Sequence, residues 1–234
     1  MSETRGGVGP GETPAPESSF LTEPRRDLHW VFVGPQGIRA GWSVVIFVGS
    51  FIGVLLAGGM VAGPFLHGQP SLAHGMPPVV GLINEIVQVA AVVVATWIMA
   101  RIENRPLLSY GYQGRARGLR FVSGVLWGFA AISAFIFALD KLGYLAIDGW
   151  ALSGRWALHY ALIWGGVFLL VGLFEESITR GYLQFTLTRG LGFWWGAIPL
   201  SFVFGFGHGQ NPGESPVGLL GVGAVGLVFC LSLW

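Results

Sequence analysis

The chain has 234 residues, 53% of them hydrophobic and only 11% charged, with mean hydropathy +0.63. Soluble domains carry about 25% charged residues, so a soluble domain is excluded and a single integral membrane domain is expected. The net charge of +1 and the lack of a basic stripe with interleaved aromatics point to no nucleic-acid partner. One cysteine, Cys230, excludes an internal disulfide and a cysteine-rich metal site, and its apolar surroundings make it a small packed side chain.

Residues 1–27 are Gly, Pro, Ser, Thr and charge, the composition of a disordered tail. They lack the basic-then-apolar order of a cleaved signal peptide. The membrane domain then runs over 28–234. Its first stretch, 28–40, holds Trp30, Phe32 and Pro35 and reads as an interfacial approach. About six apolar spans follow, each near the ~20 residues that cross a bilayer. They are expected at 41–63, 79–100, 121–139, from 157 onward, at 191–207 and at 217–234. The fold class is therefore all-α, a polytopic transmembrane bundle. The 38 glycines suit close helix contact in such a bundle. Trp and Tyr near the span ends fit an aromatic belt.

Basic residues set the orientation. The loop after the second span holds Arg101, Arg105, Arg115, Arg117 and Arg120, whereas 64–78 has no Lys or Arg. The Arg-rich loop and the amino terminus, with Arg25, Arg26 and Arg39, are expected in the cytoplasm. The chain is expected to be a multi-pass protein of the cell membrane.

The fourth span carries the informative residues. Glu175 and Glu176 are adjacent inside an apolar run, with Arg180 four residues after Glu176. A charge at mid-bilayer costs about 3 kcal/mol on insertion scales, so such groups face a cavity or a partner. Hydropathy alone would end this helix at Phe174. A helix that continues to about Thr188 and turns at 189–191 instead brings Glu175 level with His208 on the next span. Glu176 and Arg180 share a helix face and can pair. Glu175 points about 100° away, free for a metal or a water. Glu, Glu and His converging in a membrane suggest a metal site or general acid/base chemistry.

Glu175-Glu176-Ser177-Ile178-Thr179-Arg180 fits EExxxR, and Phe204-Gly205-Phe206-Gly207-His208 fits FxxxH. Their order, separation and membrane setting resemble the CPBP family of intramembrane proteases, also called the Abi or CAAX amino-terminal protease family. The resemblance covers 158–234. It implies a helical fold around a polar intramembrane chamber and an endopeptidase that cleaves a membrane-associated protein or peptide. It assigns water activation to Glu175 and supporting or metal-ligating roles to Glu176 and His208. Arg180 would fix the carboxylates, and Zn²⁺ or another divalent metal is the expected cofactor where one is used. The chain departs from the family at Thr179, where an aromatic is common. The family also has a later motif, a histidine followed four residues on by Asn or Asp. The chain ends at Trp234 without it, so a truncated carboxy terminus is expected.

Other polar residues read more plainly. Phe204 is expected to pack. Asn211 and Glu214 suit a loop and a helix cap. Glu85, near Asn84 and Gln88, reads first as interfacial, with lining of the chamber as the alternative; His159 reads as interfacial, and His29, His67 and His74 lie in flanking segments. Two rival functions remain from the sequence. One is a non-enzymatic scaffold or bacteriocin-immunity-type partner with the same fold. The other is a small transporter using the acids as a proton relay, which the lack of repeated halves disfavours.

Overall fold

The computed structural model describes residues 29–35, 37–66 and 77–232. The expected tail at 1–27, Leu28, His67, His74 and residues 233–234 lie outside these, as does the side chain of His29. The expected interfacial approach forms a short helix α1 (His29–Phe32) and a two-residue hairpin, β1 (Val33–Gly34) with β2 (Gly37–Ile38). Trp30 and Phe32 are exposed there. Phe32 leans on Trp42 at 4.7 Å between ring centroids.

Long apolar runs then form helices α2 (Ala40–Leu66), α3 (Pro78–Ile102) and α4 (Arg117–Lys141). Pro78 opens α3 at a position whose missing N–H would have no intrahelical partner anyway. Helix α5 (Gly154–Glu175) continues through a widened π-helical segment (Glu176–Leu183) into α6 (Gln184–Leu191). Together they make one apolar rod of 38 residues. The longer of the two readings of this helix is the one the chain adopts.

Four of these helical stretches are long and apolar enough to cross a membrane, which makes the chain a helical integral membrane protein. The last two expected spans are also helices, α7 (Phe193–Gly207) and α8 (Pro216–Leu231). They have 15 and 16 residues among those described. Helix α7 ends where the sequence places the end of its span and begins two residues later than expected. Gly192, at φ +92°, separates α6 from α7, and a 3₁₀ turn over His208–Gln210 ends α7. Ser215 caps α8 by accepting the Gly218 N–H at 3.0 Å.

The core gathers around the π-helical segment. Phe47 of α2, Val92, Ala95 and Met99 of α3, Tyr110 of the following loop and Tyr182 pack together and are fully buried. Phe47 stacks on Tyr182 at 4.3 Å. Helices α7 and α8 meet through glycines. A Cβ on Gly205 would lie 2.7 Å from the Leu219 carbonyl oxygen and 3.2 Å from the Gly223 backbone. Contact this close is what small residues allow between membrane helices. Helix α4 has no buried residue and stands clear of this core.

Candidate active site

The EExxxR stretch does not form an ordinary α-helix. Ser177 Oγ donates to the Leu173 carbonyl and Thr179 Oγ1 donates to the Glu175 carbonyl. Hydroxyls that bond back to the carbonyl four residues earlier compete with the backbone ladder and bend helices. Here both do so where the ladder widens to π geometry, a feature often found at functional sites.

The widened turn spreads the motif's charges. Arg180 Nη1 donates to Glu176 Oε1 at 2.8 Å, and Nη2 donates to the Gly226 carbonyl of α8 at 3.3 Å. The guanidinium lies 4.4 Å from the Phe204 ring centroid and 5.0 Å from that of Phe229. It is 3% exposed, so the aromatic faces and Glu176 replace its water. Phe204 does more than fill space. It lies between the arginine and His208, 4.7 Å from the imidazole.

Glu175 faces the other way. Its Oε1 lies 3.5 Å from His208 Nε2. His208 Nδ1 is 2.8 Å from the Phe204 carbonyl oxygen, which can only accept. Nδ1 therefore carries a hydrogen, and in the neutral ring the Nε2 lone pair is turned toward Glu175. Carboxylate and imidazole present two acceptors to one small volume, where a water could donate to both.

Of the residues expected to act together, the structure joins Glu175 with His208 and Glu176 with Arg180. The pair named for a divalent metal, Glu176 and His208, is split between these two partnerships. Zinc sites use three or four protein ligands. No group of three His, Cys, Asp or Glu side chains suited to a metal occurs among the described residues. Among the described residues the converging donors, Glu175 and His208, are fewer than such an ion takes.

Glu85 needs correction. It was expected at the interface, but α3 packs on α5 and brings Glu85 within electrostatic reach of Glu175. Gln88 Nε2 donates to Glu85 Oε1 at 3.1 Å, while Oε2 is buried without a protein partner. An acid seven residues into an apolar helix was the signal for it. His159 stays remote, in ring contact with Trp156 and Tyr160. The Asn211 carbonyl accepts the Glu214 N–H in the turn before α8.

Sequence reasoning also missed Glu103, Tyr110 and Tyr112. Glu103 accepts the Tyr182 hydroxyl at 2.7 Å and the Tyr110 hydroxyl at 2.9 Å. Burial first, then the hydrogen bond to and charge of Glu103, push the Tyr110 hydroxyl above its ordinary range. The Tyr110 hydroxyl hydrogen is the one given to Glu103. A cavity of about 450 Å³ between α7 and α8, lined by Phe202, Phe206, Leu220 and Leu227 among others, is apolar and does not include the glutamates.

Residues 155–234 match the family model described as type II CAAX prenyl endopeptidase, Rce1-like. No curated protein and no solved structure matches the chain. Over this last third of its length the chain is similar to that protease family, in keeping with the resemblance of its EExxxR and FxxxH motifs to CPBP proteases.

Proposed function

We propose that the chain is an intramembrane endopeptidase that hydrolyses a peptide bond of a membrane-associated substrate with a glutamate-activated water. The observation that carries this reading is the 3.5 Å approach of Glu175 Oε1 to His208 Nε2, inside a bundle of apolar helices. Glu175 takes one proton from a water held between them, and the hydroxide adds to the substrate carbonyl carbon. His208, anchored through Nδ1, holds the water's second hydrogen. The proton on Glu175 then passes to the leaving nitrogen as the C–N bond breaks, so one water is consumed and Glu175 returns to its starting state. Arg180 holds Glu176 turned aside through its 2.8 Å hydrogen bond.

The family description makes a prenylated peptide ending in a CAAX sequence the first substrate to offer. Glu175→Gln keeps the shape and removes the base. General-base catalysis is worth about 10²–10⁴-fold, so cleavage by that variant in proteoliposomes should fall at least about a hundredfold, with an unchanged melting temperature. Full activity in Glu175→Gln would end the mechanism.

A further inference from the structure

The loop between α3 and α4 takes no part in that chemistry, yet it is docked on the glutamate helix. Its base is fixed by Glu103, which holds Tyr110 and Tyr182 through both carboxylate oxygens, and both tyrosines are fully buried. Gly111 follows at φ +84°. A Cβ there would lie 3.4 Å from the Arg180 carbonyl oxygen and 3.5 Å from Gly181 Cα. The loop backbone therefore rests on the backbone of the motif, in a conformation that glycine adopts without steric cost.

The next residue reaches the motif itself. The Tyr112 hydroxyl is hydrogen-bonded to Ser177 Oγ. Ser177 has one hydroxyl proton and gives it to the Leu173 carbonyl, so Tyr112 is the donor. Arg117, at the start of α4, holds Tyr112 in turn by donating to its carbonyl at 3.1 Å. The resulting chain runs from Tyr112 O–H to Ser177 O–H to Leu173 C=O. Its two ends on the helix, Leu173 and Ser177, bracket Glu175 and Glu176.

We propose that Tyr112, acting through Ser177, is a positioning residue that fixes the rotation of the glutamate turn and so the aim of Glu175 at its water. The inference rests on the endopeptidase reading above. A widened turn has a looser ladder than an α-helix and does not fix its own rotation. Arg180 holds one side of it, against α7 and α8. The Tyr112–Ser177 tether holds the other.

A group that sets aim without touching substrate changes kcat and leaves KM alone. The test uses the full chain in proteoliposomes with a fluorogenic prenylated peptide ending in CAAX. It compares wild type, Tyr112→Phe, Ser177→Ala and the double variant. Each single change is expected to lower kcat about five- to tenfold, the weight of one hydrogen bond, with KM and melting temperature unchanged. The double variant should be no worse than the worse single, because both remove one tether. Unchanged kcat in Tyr112→Phe overturns the inference, as do losses that multiply in the double variant. So does a lower yield of folded protein with kcat per folded molecule retained, which is a structural role only. A wild-type chain that cleaves no such peptide overturns the endopeptidase reading and the tether with it. Wild-type cleavage with an intact Tyr112→Phe overturns the tether alone.

Discussion

Arg180 holds a full charge that is 3% exposed, and three elements share it. Glu176 supplies the counter-charge, Phe204 and Phe229 cover the guanidinium faces, and the Gly226 carbonyl takes a further N–H. Breaking a buried ion pair costs about 3–5 kcal/mol, because the remaining charge is stranded. Half of the Glu176 side chain is exposed, so Arg180→Ala should cost nearer about 2–3 kcal/mol, read by thermal or denaturant unfolding in detergent. Arg180→Lys keeps the charge but not the planar fork. It can satisfy Glu176 or Gly226 but not both, and should fall between alanine and wild type. A lysine variant as unstable as alanine would show that shape, not charge, sets the cost. The Glu176–Arg180 pair was legible in the sequence because four-residue spacing fixes a helical pair whatever surrounds it. Glu85 was legible only as an alternative, an acid that could line the chamber but read first as interfacial. Its place depends on how α3 packs against α5, which no local pattern reports.

At the scale of elements, the α7–α8 contact sets where His208 sits. Gly205 lies three residues before it, in backbone contact with Leu219 and Gly223. Adding a methyl group there forces the two helices apart, and overpacking of this kind costs about 1–3 kcal/mol. Gly205→Ala should therefore lower the melting temperature, and also cleavage, by moving His208 away from Glu175. Gly207→Ala is the control, since a Cβ there meets nothing within 4 Å. Equal melting temperatures for the two variants would remove the contact as the cause. The sequence located every long helix to within a few residues, because apolar runs of this length have few alternatives. It did not reveal the π-helical turn. A reading at 3.6 residues per turn assumes the ladder that Ser177 and Thr179 disturb. It did place the end of α7 at Gly207, because the polar run from His208 to Ser215 follows it.

The whole molecule sets a core of helices beside one helix that touches little of it. In α4, Val125, Leu126, Trp127 and Phe129 point in different directions and all are exposed. A helix that is apolar all round needs an apolar environment on every side, and lipid supplies it if α4 crosses the bilayer. Its 25 residues rise about 37 Å at 1.5 Å each, enough for a hydrocarbon core of about 30 Å. The two ends should then lie on opposite faces, and the arginines around Gln113 favour the cytoplasm for that end. Cysteines introduced at Gln113 and Asp148, both exposed, report this directly. The native Cys230 is 2% exposed and should contribute little background. With an impermeant maleimide, Asp148→Cys should label in right-side-out vesicles and Gln113→Cys in inside-out ones. Labelling of both from one face would place α4 along the membrane surface. Labelling with the faces exchanged would turn the whole bundle over and put the glutamate turn nearer the other compartment.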